Sequence, residues 1–188
     1  MKKIFLTVFA ASSLLLYSTP SFALLSVSVG MPMGYNFAEG GGTATNMGGY
    51  FLGVQLPFGL GLGMDSHKIK ATEENVLELN TNMYNLFYQL PIPVINLILG
   101  IGAGSQHLEC ADIYGGQGNS VVSCKDTYDK GSATQFYTSV GFPIIPFFDI
   151  HLSYRSITSK NVYLKGGGTS TQQDLGGTIT GVGIAFNF

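Results

Sequence analysis

Asp149, His151, Ser153 and Arg155, four polar side chains at alternate positions, form the densest chemical grouping in the chain. A carboxylate, an imidazole, a hydroxyl and a guanidinium are the types from which a hydrolase builds a base, a nucleophile and an anion-binding cation. Alternate residues share a face only on a β-strand, where successive side chains point to opposite sides. Same-face neighbours on one strand stand about 7 Å apart, too far for His151 to take a proton directly from Ser153. The spacing fits better a hydrogen-bond network that satisfies polar groups inside a narrow interior. The second grouping is Cys110 and Cys124, the only cysteines in the sequence. In an oxidising compartment they predict a disulfide, worth about 3 kcal/mol for a loop of that length in the chain-entropy model; two free thiols are the alternative. The nearby His107 and the cysteine spacing match no zinc pattern, so neither a metal nor a cofactor is expected. Glycine triplets at 40–42 and 166–168 lack the Lys-Ser/Thr and helix of a phosphate loop.

The elements that must carry these residues are strands. Leu25, Val27, Val29, Met31, Met33, Tyr35 and Phe37 alternate with Ser26, Ser28, Gly30, Pro32, Gly34 and Asn36, a period of two that predicts a strand. Pro32 cannot donate to a ladder and favours a bulge there. The same order recurs around residues 50–58, 60–65, 83–90, 95–104, 135–142, 148–155 and 175–188. Short Pro-containing turns alternate with long polar segments at 38–46, 66–78, 107–131 and 157–174. This rhythm predicts an all-β, eight-stranded antiparallel up-and-down barrel with tight turns at one end and four long loops at the other. No mature segment holds the ~18 continuous apolar residues of a spanning helix.

Composition decides which way the barrel faces. Nine Lys and Arg residues oppose eleven Asp and Glu, and the stretches 24–38, 40–64, 79–108, 131–148 and 175–188 carry none of either. Without Lys2 and Lys3 the balance is seven against eleven, a net charge of −4, which argues against nucleic acid as a partner. A soluble barrel would place Lys and Glu on its water-facing side; here the second face is Gly, Ser, Asn, Gln and Ala. The apolar face is therefore expected to meet lipid and the small face to line the lumen. Tyr and Phe near both strand ends suggest interfacial girdles. Lys2-Lys3, an apolar run from Ile4 to Leu16 and a Ser21-Phe22-Ala23 site predict a signal peptide over residues 1–23, leaving 24–188 as the barrel.

The signal peptide, the alternating strands and the terminal Val182, Ile184, Phe186 and Phe188 resemble the small OmpA/OmpX-type outer-membrane barrels. That resemblance implies export to the outer membrane of a Gram-negative-type cell, contact with lipid and lipopolysaccharide, and passage through periplasmic chaperones and the barrel-assembly machinery. It assigns the assembly signal to those four terminal residues. His151-Leu152-Ser153 also resembles the His-x-Ser pair of lipid A deacylases, which act from the outer wall, whereas Ile150, Leu152 and Tyr154 would turn His151 and Ser153 inward. Asp65 and Arg155 both point inward on strands that face one another in an eight-stranded barrel, and a buried guanidinium needs a partner; Glu109 is the reserve carboxylate. The expected role is non-enzymatic, structural or surface-interacting through the loops. A lipid-modifying enzyme and a narrow conduit are the alternatives.

Overall fold

The computed structural model describes residues 25–38, 43–44, 46–70, 77–92, 95–110, 130–145, 147–160 and 175–188. The strands are β1 (Ser26–Phe37), β2 (Thr43–Ala44), β3 (Met47–Gln55), β4 (Leu60–Lys70), β5 (Leu77–Leu90), β6 (Asn96–Cys110), β7 (Gly131–Ile145), β8 (Phe148–Lys160) and β9 (Gly177–Asn187). From β3 onward each strand pairs antiparallel with the next, β1 joins β3, and β9 returns to β1. The short β2 only extends β1, pairing Tyr35 with Ala44 and Asn36 with Thr43. An eight-stranded closed barrel results, as the sequence periodicity predicts. Beyond the last ladder pair, Phe188 N donates to Leu25 O at 2.8 Å and Leu25 N to Phe188 O at 3.3 Å. No edge is left unpaired along this seam.

The alternating pattern becomes two chemically different walls. On β8, Ile150, Leu152 and Tyr154 are exposed while Asp149, His151, Ser153 and Arg155 are buried. On β4, Leu62 is 62% exposed and its neighbour Asp65 only 1%. Turn-end residues Phe58, Ile144, Ile145 and Phe147 continue the outward apolar belt, and the Phe148 and Phe186 rings meet edge to face at 5.5 Å. Inside, glycines give space to specific rings. A Cβ at Gly61 would overlap Phe87, one at Gly100 would overlap Tyr137, and one at Gly141 would overlap His151.

Two features depart from the expected layout. The polar segments 66–70, 77–78, 107–110 and 157–160 are strand rather than loop. Outward they carry Ser66, Lys68, Lys70 and Thr158, but inward they carry Ile69, Leu108 and Ile157, with Leu79 just beyond the second segment, all buried. With Tyr35, Met83, Ala133 and Ile179 these side chains form one apolar cluster. Toward the loop end the barrel thus turns polar outside and gains an apolar cluster inside, above an inward row of His67, Thr81 and Gln106, without breaking the period of two. An outward row of Ser, Asn and Thr therefore looks like a loop to any reading that assumes lipid along the whole strand. Arg155 and Asp65 consequently lie well inside their strands instead of near the outer ends.

The second departure is on β1. A register irregularity between Pro32 and Gly34 shifts the face that follows, because a bulge adds one residue against its partner. Tyr35, expected on the lipid face, turns inward with no exposed surface, and its hydroxyl donates to Leu175 O at 2.7 Å. Phe37, expected beside it in the girdle, is partly buried and stacks edge to face on Tyr35 at 4.8 Å.

The two walls set opposite tolerances for charge. Leu152→Arg, in the apolar belt, should cost about 2–4 kcal/mol, whereas Thr158→Arg, on the same face nearer the loop end, should cost less than about 1 kcal/mol. Urea unfolding of the barrel folded into lipid vesicles measures both, and equal costs would reject the belt boundary. By the same assay Gly100→Ala should lose about 1–3 kcal/mol through overpacking against Tyr137.

Candidate functional site

The inward face of β8 supplies one half of the lumen chemistry and the facing strands supply the other. Arg155 Nε donates to Asp65 Oδ2 at 3.0 Å across the barrel, with both side chains almost fully buried. Arg155 Nη1 donates to Ser153 Oγ, and Ser153 Oγ in turn donates to Gly181 O at 3.2 Å. The guanidinium carbon lies 3.4 Å from the Phe51 ring centroid and 5.0 Å from that of Tyr137. Aromatic faces are attractive to a cation, more so where water is excluded. Gln135 Nε2 donates to Asp65 Oδ2 at 2.6 Å and to Asn85 Oδ1 at 3.0 Å. The ion pair is therefore held by hydrogen bonds and rings together, as a desolvated pair must be.

Nearer the turn end a second set centres on Asp149, whose Oδ2 accepts from Asn96 Nδ2 and from Asn187 Nδ2 at 2.9 Å. Gln89 Nε2 donates to Asn96 Oδ1 at 2.8 Å. His151 lies between the two sets, with Nδ1 3.4 Å from Ser139 Oγ and Nε2 3.9 Å from Asp149 Oδ2. The structure brings Asp65 together with Arg155 and Ser153, and places Asp149 near His151. It does not join His151 to Ser153, whose hydroxyl is taken by Arg155 and Gly181. Glu109 approaches His107 instead, at 4.0 Å. Gln135, Asn85, Asn96 and Ser139 were missed as partners. All four stand on inward positions of their strands, so strand phase with a charge opposite was the available signal.

Ser139, His151 and Asp149 have the residue types of a hydrolytic triad, but their surroundings do not suit one. The lumen space that Ser139 and His151 share with Arg155 and Phe51 is about 60 Å³, enough for a few waters. A second space, reaching Asp149 and Asn187, is about 10 Å³. Neither admits an acyl chain, and the apolar cluster packs the lumen toward the loop end. Among the described residues, no group of three or more His, Cys, Asp or Glu is placed to hold a metal.

The terminal residues Val182, Ile184 and Phe186 align with Leu152, Ile150 and Phe148 of β8 and with Met31, Val29 and Val27 of β1. Phe186 and Phe188 are exposed on the outer wall. Cys124, and with it the expected bond to Cys110, lies outside the described residues, as do the expected signal peptide 1–23 and most of the loops.

No protein-family model matches the chain. No curated protein matches it in sequence. Solved structures do match in shape. The Neisserial surface protein A, NspA, is similar over 87% of this chain and 97% of its own, with a TM-score of 0.58 at 14% identity. The chain has the fold of the small eight-stranded outer-membrane β-barrels. OprG of Pseudomonas aeruginosa covers 91% of the chain and 99% of its own at a TM-score of 0.55 and 6% identity. Ail, the attachment invasion locus protein of Yersinia pestis, covers 89% and 99% at a TM-score of 0.51 and 16% identity. At these identities the shared property is the barrel itself.

The network makes a two-sided prediction. Arg155→Met strands the Asp65 carboxylate in a packed lumen and should cost about 3–5 kcal/mol. Adding Asp65→Asn removes the stranded charge and should recover a large part of that loss. Urea unfolding of the single and double variants in vesicles reads the difference, and strictly additive losses would mean the two groups do not interact.

Proposed function

We infer that the protein is an integral outer-membrane barrel without enzymatic activity, whose loops make its functional contacts. The observation that carries this reading is the filled lumen. Beside the buried ion pair, its amide partners and the apolar cluster there is a space of about 60 Å³. A wall that is apolar outside and closed on itself suits hydrocarbon, since no backbone group is left without a partner there. In this reading the end that holds the short turns, Leu25 and Phe188 faces the periplasm and the long loops face outside.

The likeness to NspA, described as a surface protein, and to Ail, described by attachment and invasion, supports a contact role for the loops. Ail has also been solved with the heparin analogue sucrose octasulfate. In this reading residues 1–23 are cleaved on export, and periplasmic chaperones and the barrel-assembly machinery receive the chain. The assembly machinery reads Val182, Ile184, Phe186 and Phe188. Lipid and lipopolysaccharide surround the belt, and a Cys110–Cys124 disulfide staples the third loop.

The enzymatic alternative draws on Ser139, His151 and Asp149, but these face a lumen too small for lipid. His151→Ala should leave the lipid A mass spectrum of expressing cells unchanged. A conduit requires an open path, and planar-bilayer recordings should show no large steady conductance. Deleting residues 112–128 should abolish cell or glycan attachment by the folded barrel, with folding checked by heat-modifiable migration. Attachment that survives the deletion, together with a large steady conductance, would replace the contact role by transport.

A further inference from the structure

Beyond the belt the outer wall carries a polar concavity that the contact role does not use. Its space is about 260 Å³ and it spreads over β4, β5 and β6 toward Lys130. Register places Lys68, Asn80 and His107 side by side, one residue out of phase with the inward Ile69, Leu79 and Leu108. Asn80 and His107 therefore face outward. Just below them Ser66, Asn82 and Ser105 form the first polar row, directly above Met64, Tyr84 and Ala103 on the same face. The concavity begins where the apolar belt stops.

Its floor is chemically unfinished. Asn80 is only 8% exposed, yet among the described residues neither its Nδ2 nor its Oδ1 has a hydrogen-bond partner, and His107 Nδ1 is likewise buried and unpartnered. Buried amides and imidazoles are nearly always satisfied, so these atoms call for donors and acceptors beyond the described strands. The charged neighbours are largely matched. Lys68 Nζ bonds Glu78 Oε1 at 2.9 Å, and Glu109 stands 4.0 Å from His107 Nε2. With Lys68 and His107 answered by carboxylates, only Lys130 at the edge is left to attract phosphate or sulfate, and the floor itself is poorly suited to either. An amide offering two donors and an acceptor, beside an imidazole and serine hydroxyls, instead matches adjacent hydroxyl groups, each of which both donates and accepts.

We propose that this concavity binds one neutral sugar ring of a glycan at the membrane surface. The sugar belongs either to a glycolipid of the surrounding leaflet or to a soluble glycan. The proposed membrane placement bears only on that choice of source; the site itself follows from the wall.

The test uses the full mature barrel in phosphatidylcholine nanodiscs, with NMR of the Asn80 amide and His107 ring signals. One arm incorporates monoglucosyl diacylglycerol into the disc, a second adds free glucose or galactose, and a third adds inorganic phosphate. Saturable shifts at Asn80 and His107 with the glycolipid alone assign the sugar to the leaflet. Equal shifts with free sugar assign it to a soluble glycan. Asn80→Ala should weaken either response at least tenfold, and the near-isosteric Asn80→Asp guards against a folding defect. Thr134→Ala, outward on β7 and away from the concavity, should leave it unchanged. No saturable shift with any sugar, a stronger response to phosphate, or an undiminished response in folded Asn80→Ala would each overturn the proposal.

Discussion

Closure of the sheet is the constraint on which everything else in this molecule rests. In hydrocarbon a backbone N–H or C=O without a partner costs several kcal/mol, and only a helix or a closed sheet avoids that cost along a whole segment. Here the ladder from β9 back to β1 completes the circle, with Leu25 and Phe188 adding the last bonds. Once eight strands close, the interior has a fixed and narrow width. Every inward side chain must then fit a neighbour, which is why glycines face Phe87, Tyr137 and His151. The greasy terminal strand follows from the same constraint, because it forms one side of the seam and also faces lipid.

Narrowness also explains the character of the lumen. A guanidinium inside so small a space has little water to rely on, so its charge is answered by Asp65 and its faces by Phe51 and Tyr137. Gln135 and Asn85 complete the carboxylate's surroundings. Such a network holds the strands in one relative position without a large hydrophobic core. Toward the loop end the barrel uses the other solution. There the outside is wet, and Tyr35, Ile69, Leu79, Leu108, Ile157 and Ile179 pack a conventional apolar interior. One continuous set of strands thus runs through two solvents, with the inner and outer compositions exchanged where the solvent changes.

The barrel, its strand order and its lipid-facing side were legible in the sequence because all three depend on the period of two and on where charges are absent. Asp65 and Arg155 could be set opposite each other from strand phase and strand number alone. The rest was hidden for physical reasons. Lys68, Lys70 and Glu109 look like loop residues when lipid is assumed along the entire strand, and Ile69, Leu79 and Leu108 between them gave the only contrary sign. The bulge after Pro32 was foreseeable, but its effect on Tyr35 and Phe37 depends on which residue is left unpaired. Hydrogen-bond partners such as Gln135 and Ser139 carry no charge, so only their inward phase opposite Asp65 and His151 could have singled them out.

The apolar packing near the loops has a directional consequence. Small ions and protons travelling through water meet a greasy stopper at the loop end, whereas Asn96, Asn187 and Asp149 line the approach from the turn end. Water of the ion-pair chamber is therefore exchanged through the turn end of the barrel. Acid, salt or small solutes at the loop end would reach that chamber only by way of the turn end.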